Sequence, residues 1–208
     1  MNFKKLSPRP IHAKKSESLC RKWLKNIRPN IYRLRKRFPK KEIDIYFQDE
    51  TRYGQQTENY KIWAKKGSKP VYRKECGFLN SWIFGVVNPK SGKKFGLILP
   101  KLNSQNMQIF LNKFSKTIYH KKQALIILDG SSAHTAKTLK IPKNICLHFL
   151  PPYSPELNPI ERLWLHIKKN FLSFKLYGNQ SKLNRNGADA WNRVDEKIIQ
   201  TLCKCEYF

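Results

Sequence analysis

Four short runs in the first half of the chain have the apolar pattern of β-strands. IDIYFQ (43–48), YKIWA (60–64), NSWIFGVVN (80–88) and KFGLIL (94–99) are rich in β-branched and aromatic residues. NPKSGK lies between the last two runs and is a hairpin signal. These runs predict an antiparallel meander, and its first strand is expected to end at Asp49-Glu50.

The second half of the chain alternates strands with helices. ALIILD (124–129) is a continuous aliphatic run that ends in an acid, as in a strand buried on both faces at the centre of a sheet. ICLHFL (145–150) predicts another strand, and a short helical piece from His134 to Lys140 is expected to join the two. The order of elements predicts an α/β fold in which helices flank a mixed sheet.

Two amphipathic helices follow from apolar residues that recur every three or four positions. The first has Asn103 or Ser104 as its capping residue, and the second follows Asn158 as the cap, with Pro159 at its first position. Their apolar stripes consist of Met107, Phe110, Leu111, Phe114 and Ile118, and of Ile160, Leu163, Trp164, Ile167 and Phe171.

The two ends of the chain differ in composition from its middle. The first 42 residues are basic and predict one or two short helices that Pro29 divides. Residues 173–187 are polar and predict a loop, and residues 188–204 predict a last amphipathic helix. At 208 residues the chain is long enough for one sizeable core. The predicted parts are a basic N-terminal arm or linker (1–42), a main domain (43–175) and a C-terminal helical tail (176–208).

Charge is the feature of composition that points to a partner. The chain has 42 Lys and Arg against 14 Asp and Glu, which gives a formal net charge of +28. This imbalance predicts salt-sensitive, sequence-independent attraction to the phosphate backbone of nucleic acid. A basic surface that is merely solvated is the alternative, and a membrane surface fits less well. The candidate phosphate-binding residues near the N-terminus are Arg21, Lys22, Arg33, Arg35, Lys36 and Arg37.

Neither secretion nor membrane insertion has support in the sequence. The basic start MNFKK precedes no apolar run of signal-peptide length, and no stretch is apolar enough to span a bilayer. The five cysteines are scattered without a C-x-x-C motif, and Cys203 and Cys205 have no matching His or Cys pair nearby. We therefore expect a protein of the reducing cytoplasm, with neither a disulfide framework nor a structural zinc site.

Three acidic residues stand out in this basic chain. Asp49 and Asp129 each follow a predicted strand, and adjacent strands whose carboxyl ends share one edge of a sheet bring such side chains close together. Glu161 falls in the first turn of its helix, because the prolines of LPPYSPELNP fix a stiff path that pins the helix start. For Glu161 alone, a glutamate that stabilises the helix dipole is the alternative reading.

A cluster of Asp49, Asp129 and Glu161 would repel itself unless a divalent cation neutralised it. Oxygen ligands favour Mg²⁺ or Mn²⁺, and two such ions about 3.5–4 Å apart polarise water and stabilise an in-line displacement at phosphorus. Glu156 is a rival for the third acid, but it lies before the helix on the proline-stiffened loop. The acids therefore predict metal-dependent phosphoryl chemistry.

Several motifs around these acids carry a family likeness. They are Asp49-Glu50-Thr51, WAKKGSKPV (63–71), LDGSSAH (128–134), LPPYSPELNPIERLW (150–164) and DAWNRV (189–194). Together they resemble the catalytic half of mariner-type transposases, in the bacterial insertion-sequence branch of the DDE superfamily. PPYSPELNPIE is highly specific, and the resemblance runs from about Arg9 to the C-terminus.

The resemblance implies a ribonuclease-H-like fold and a set of functional residues. It implies that Asp49, Asp129 and Glu161 are catalytic and bind Mg²⁺ or Mn²⁺, as two ions. Glu50 is expected to point to the opposite side of its strand. Trp164 is expected in the core rather than as a base-stacking platform.

The resemblance also marks residues outside the acid cluster. Trp63, Lys65, Lys66 and Lys69 match a family tract and are expected to contact DNA near the cleaved strand, for which a basic hairpin is the alternative. His134 is expected either to contact a phosphate or to shape the loop after Asp129, with a plain structural histidine as the alternative.

The resemblance implies a transposase that cleaves double-stranded DNA at the ends of an insertion sequence and joins the freed 3′-OH to target DNA. A homodimer is expected on family likeness alone. A nuclease without strand transfer and a truncated, inactive DNA-binding remnant are the alternatives. Residues 1–42 show no counterpart of the helix-turn-helix domains of complete family members, which predicts a catalytic portion made separately or a truncated relic.

Overall fold

The computed structural model describes residues 12–57 and 60–207, and a five-stranded mixed sheet forms its centre. The strands stand in the order β3-β2-β1-β4-β5 and are β1 (Glu42–Gly54), β2 (Asn80–Val87), β3 (Lys94–Leu99), β4 (Lys122–Leu128) and β5 (Ile145–Phe149). The helices are α1 (Glu17–Arg37), α2 (Ser104–Ser115), α3 (Ser132–Thr135), α4 (Ile160–Ile167), α5 (Gln180–Asn192) and α6 (Glu196–Leu202). The predicted α/β fold with a mixed sheet and flanking helices is confirmed. The N-terminal part of the predicted basic arm, residues 1–11, lies outside the described residues.

Strand β1 is longer than predicted and has two different neighbours along its length. Its first half runs parallel to β4, from Glu42 opposite Lys122 to Phe47 opposite Ile127. Its second half runs antiparallel to β2 as far as Gly54. The prediction that this strand ends at Asp49-Glu50 is therefore wrong, because pairing with β2 carries the strand onward after β4 has ended.

The sheet separates two apolar layers. On one face, α1, α4, α5 and α6 pack against inward side chains such as Phe47 and Ile127. On the other face, α2 packs against Tyr46, Phe84 and Ile126. The predicted hairpin between β2 and β3 is confirmed, as is the capping of α2, where the Asn103 side chain accepts a hydrogen bond from the Asn106 amide at 2.8 Å.

Helix α1 is continuous, so the prediction that Pro29 divides this region is wrong. Cys20, Trp23, Ile27 and Ile31 form a buried stripe along the helix. Pro29 lies on the exposed side of the helix, away from this stripe. The stabilisation gained by burying this stripe therefore outweighs the cost of a proline inside the helix.

The prediction of a strand at residues 60–64 is wrong. In the described part of the segment from 60 to 79 no strand forms, and Ile62 and Trp63 are exposed, so these apolar side chains have no sheet face to cover. The far end of the segment is fixed at Glu75, whose carboxylate accepts hydrogen bonds from the amides of Tyr177 and Gly178 at 2.8 and 2.7 Å.

The helices of the C-terminal region begin earlier and break once, contrary to the predicted loop at 173–187 and single helix at 188–204. Asn179 and Asp195 each accept a hydrogen bond from an amide three residues later, so each caps a separate helix, α5 and α6. The buried stripe of α5 includes Gly187, which packs against the Tyr53 hydroxyl. A stripe built partly from small residues has a weak apolar signal, which explains the wrong prediction.

Helix α3 spans Ser132–Thr135 rather than the predicted 134–140, because the chain leaves helical geometry at Ala136. No helix in the described part of the chain combines the length and the apolar character needed to cross a bilayer.

Candidate active site

Two of the predicted acids lie side by side because β4 ends beside the middle of β1. Phe47 and Ile127 form the last parallel pair of these strands, and each acid follows two residues later. Asp49 therefore lies within β1, level with Asp129 in the loop after β4. The prediction that each acid follows the end of a strand is confirmed for Asp129 and wrong for Asp49.

The third acid is brought in by the proline-rich path from β5 to α4. A short 3₁₀ turn covers Pro155–Leu157, Pro159 has helical dihedral angles, and Glu161 lies in the first turn of α4. Asn158 does not cap this helix as predicted. Its side-chain amide instead donates a hydrogen bond to the Gln48 carbonyl at 3.1 Å, so it ties the start of α4 to β1 beside Asp49.

Asp49, Asp129 and Glu161 line one cavity of about 380 Å³. The Pro151 to Pro155 segment forms another wall of this cavity. The rival acid Glu156 does not line it, because its carboxylate is half exposed and pairs with the Lys15 ammonium at 2.6 Å. The structure therefore brings together the three acids that the sequence singled out.

The electrostatics of the cavity disfavour three bare carboxylates. Burial raises the pKa of Asp49 well above its ordinary value, and the negative charges of Glu161, Glu50 and Asp129 raise it further. Partial burial of its carboxylate in the cavity also raises the pKa of Glu161, although the residue stays partly open to solvent, and the Lys168 ammonium opposes this effect. A cation bound between these carboxylates would favour their ionised forms and so lower their pKa values.

A tryptophan fixes the orientation of Asp49. The indole Nε1 of Trp164 donates a hydrogen bond to Asp49 Oδ2 at 2.9 Å, and the Trp164 side chain is 2% exposed. Trp164 is thus a core residue, as expected, and its contact with the acid is a feature that the sequence did not predict. Its spacing of three residues from Glu161 on α4 indicates a place near that acid but does not indicate that the indole meets Asp49.

His134 connects Asp129 to the opposite side of β1. Its Nδ1 lies 2.6 Å from Asp129 Oδ1, and its Nε2 lies 3.0 Å from Glu50 Oε1. Burial lowers the pKa of His134, but the hydrogen bonds and charges of Asp129 and Glu50 outweigh it and raise the pKa to about 10. His134 is 2% exposed with both ring nitrogens engaged, so it fits the role of shaping the loop after Asp129 rather than contact with a phosphate.

Glu50 lies on the side of β1 away from Asp49, as the alternation of a strand requires. Its buried carboxylate accepts a second hydrogen bond from the Gln48 side-chain amide at 2.8 Å. The hydrogen bond from His134, in turn, lowers the pKa of Asp129 and keeps that acid ionised. A series of hydrogen bonds from Gln48 to Glu50, from Glu50 to His134 and from His134 to Asp129 therefore orients Asp129.

The predicted DNA-contacting residues lie outside the cavity. Trp63 is fully exposed, and Lys65, Lys66 and Lys69 are exposed on the same irregular segment, which is not the basic hairpin of the alternative reading. The cations of α1 lie on its solvent side and are Arg21, Lys22, Arg33, Arg35, Lys36 and Arg37.

The three acids suit a divalent cation in their chemistry, although they do not form a closed ligand shell. Within residues 12–57 and 60–207, no three His, Cys, Asp or Glu side chains converge as a ready-made metal site. Asp49 is held by Trp164, whereas the Asp129 side chain is 55% exposed and Glu161 is also exposed. All three offer only oxygen ligands, the donors that Mg²⁺ and Mn²⁺ prefer.

A mixed sheet with this strand order, flanked by helices and carrying acids from β1, the end of β4 and α4, has the ribonuclease-H-like fold. The family model of DDE superfamily endonucleases matches residues 44–184, more than half of the chain. The chain belongs to this superfamily, and the predicted resemblance to the catalytic portion of mariner-type transposases is confirmed.

Individual relatives agree with this assignment. The uncharacterized protein y4pE/y4sA of Sinorhizobium fredii (strain NBRC 101917 / NGR234) is 38% identical over 114 residues, 55% of this chain and 84% of that protein. The Tc3 transposase of Caenorhabditis elegans is 25% identical over 152 residues, 68% of this chain but 46% of the transposase.

Solved structures show the same fold. The catalytic domain of Mos1 mariner transposase matches with a TM-score of 0.60 at 15% identity, over 93% of this chain and 90% of that domain. The chain in a pre-cleavage Mos1 transpososome matches with a TM-score of 0.69 at 15% identity, over 98% of this chain and 64% of that one. This chain therefore spans 46% of the Tc3 transposase and 64% of the Mos1 chain in that complex.

Proposed function

We propose that this chain is the catalytic domain of a DNA transposase, which cuts DNA at the ends of an insertion sequence and joins the freed 3′-OH to target DNA. The observation that carries the proposal is that Asp49, Asp129 and Glu161 all line one cavity. Membership of the DDE superfamily and the likeness to Tc3 transposase support it.

The proposed cofactor is Mg²⁺ or Mn²⁺, bound as two ions by the three acids. Mos1 paired-end complexes have been solved with Mn and with Mg, which supports divalent metals in this fold. Bound ions would polarise water and stabilise both oxygens of an in-line displacement. The chain's own contribution is orientation: Trp164 holds Asp49, and His134 holds Asp129.

Double-stranded DNA is the proposed partner, both as element end and as target. The net charge of +28 supplies the attraction, and the exposed cations of α1 and of the segment 60–79 are proposed to contact phosphates. Mos1 forms a paired-end complex, and we propose a homodimer for this chain by the same likeness.

The proposal is tested by nicking and joining of DNA that carries the inverted repeats flanking the gene. With Mn²⁺ the wild type is expected to nick this DNA and join its 3′-ends to a target plasmid, and a chelator should stop both steps. Asp129→Asn and Glu161→Gln should each lower nicking by more than the roughly 10- to 100-fold cost of losing an outer-sphere partner. Glu156→Gln is the matched control and should retain full nicking.

The outcomes separate the three functions. Nicking without joining would favour a nuclease of the same fold. DNA binding without nicking, unchanged by Asp129→Asn, would favour an inactive remnant. Equal nicking by the wild type and both acid variants would remove the proposed site.

The hydrogen bonds that link Glu50, His134 and Asp129 give a further prediction about activity. His134→Ala should lower Mn²⁺-dependent nicking about tenfold, because Asp129 loses the partner that orients it. The loss should be larger at limiting Mn²⁺ than at saturating Mn²⁺, since an outer-sphere partner acts on metal affinity. His120→Ala replaces a histidine at the other end of β4 and should change nicking less than twofold. Equal nicking by His134→Ala and the wild type at limiting metal would contradict the prediction.

A further inference from the structure

Tyr153 has an unusual backbone and an unusual position. It lies in the proline-rich wall of the cavity that holds the three acids. Its φ is +55°, a left-handed conformation that a bulky side chain adopts only at a cost. Its aromatic side chain is 46% exposed, so apolar burial does not explain why a tyrosine occupies this position.

Ser154, the residue after Tyr153, anchors the loop to the protein interior. Ser154 is buried, and its hydroxyl lies 3.1 Å from the Cys20 sulfur of α1 and donates to the Pro152 carbonyl at 3.1 Å. With Pro152 and Pro155 on either side, this anchor keeps the backbone at Tyr153 in its strained state. The ring therefore projects from a rigid base at the rim of the cavity.

A second ring already covers the face of Tyr153. The His12 imidazole stacks on it with ring centroids 3.8 Å apart and an angle of 4° between the planes. His12 is exposed and belongs to the start of the described chain, which also contacts this loop through the Lys15–Glu156 ion pair. A flat heteroaromatic ring in parallel contact is the arrangement that a stacked nucleobase would have.

We propose that Tyr153 is a stacking platform for an unpaired nucleobase next to the phosphate at the three acids, and that His12 occupies the platform until DNA displaces it. The inference rests on the proposed function, because it assigns a substrate contact to the same cavity. Stacking on an aromatic ring is tolerant of sequence, so the platform would accept any base.

The test is binding of two DNA probes in EDTA, so that no strand is cut. One probe is a fully paired duplex, and the other is the same duplex with a four-nucleotide single-stranded gap that contains 2-aminopurine. The wild type is expected to bind the gapped probe more tightly and to change the 2-aminopurine fluorescence. Tyr153→Phe should retain both properties.

Tyr153→Gly is the informative variant, because glycine adopts positive φ without strain while the ring is lost. It should keep the wild-type melting temperature and its affinity for paired duplex, and lower its affinity for the gapped probe by roughly 5- to 150-fold. His12→Ala should bind the gapped probe at least as tightly as the wild type. Tyr119→Gly is the matched control, because Tyr119 is 57% exposed and contacts His120 before β4, outside the cavity.

Three results would overturn the inference: an unchanged preference for the gapped probe in Tyr153→Gly, an equal loss in Tyr119→Gly, or weaker gapped-probe binding in His12→Ala. The binding test does not need catalysis. A wild type that never nicks DNA would contradict the proposed transposase function but would not contradict stacking on Tyr153. Nicking that depends on the acids, without tighter binding of the gapped probe than of the paired duplex, would contradict the stacking proposal alone.

Discussion

Asp49→Asn is expected to abolish metal-dependent nicking while raising the melting temperature of the metal-free protein. Burial and three neighbouring acids disfavour the ionised form of Asp49, whose pKa is raised well above its ordinary value. Asparagine removes that charge and still accepts the hydrogen bond from Trp164 through its own side-chain oxygen. We expect a gain of about 0.5–2 kcal/mol in the free energy of unfolding, or roughly 1–8 °C in melting temperature.

The measurement is thermal unfolding of wild type and variant with and without Mg²⁺. Ions that bind the folded state should raise the melting temperature of the wild type and leave Asp49→Asn nearly unchanged. Asp44→Asn is the matched control on the same strand, because Asp44 is paired with the Lys122 ammonium at 2.9 Å and its loss should not stabilise the protein. A metal-free Asp49→Asn that melts below the wild type would show that the acid is not under electrostatic strain.

The positions of Asp129 and Glu161 could be predicted from local signals, whereas the strand end predicted at Asp49 was wrong because β1 continues to Gly54. A continuous aliphatic run identifies the buried strand before Asp129. Prolines identify the start of the helix that carries Glu161. Charge repulsion among acids in a basic chain then suggests their function. Each step needs only a few neighbouring residues, and the structure brings these acids to one cavity.

The contacts that orient the acids could not be predicted, because they join distant parts of the chain. Trp164 reaches Asp49 across 115 positions, and His134 reaches Glu50 across 84. The end of β1 was also unpredictable, since it depends on where β2 stops pairing. Sequence patterns report which face of an element is buried but do not report which side chain on another element meets it.

One row of residues across the sheet shows how the fold makes room for the site. Asp49 of β1 is opposite Gly85 of β2, which is opposite Gly96 of β3. These positions share one face, and the two glycines leave space on it for the indoles of Trp164 and Trp191, whose centroids are 5.5 Å apart. The missing side chain at Gly85 therefore lets the Trp164 indole approach the sheet closely enough to meet Asp49, while Gly96 leaves space for Trp191.

Gly85→Ala is expected to weaken both the fold and the site. A Cβ at this position would lie 2.5 Å from Trp164 and 2.8 Å from Trp191, closer than packed atoms come. Alanine ordinarily favours a strand over glycine, but overpacking of this kind costs about 1–3 kcal/mol. The melting temperature should fall by roughly 2–12 °C, at about 2–4 °C for each kcal/mol.

Gly96→Ala separates the loss of packing from the loss of orientation. Its Cβ would lie 2.6 Å from Trp191, so its cost in stability should be similar, while the nearest atoms do not include Trp164. Nicking per folded molecule, measured well below both melting temperatures, should fall at least tenfold in Gly85→Ala and stay within about twofold of wild type in Gly96→Ala. Equal nicking by the two variants would mean that Asp49 keeps its orientation without Trp164, and the glycine row would then serve packing alone.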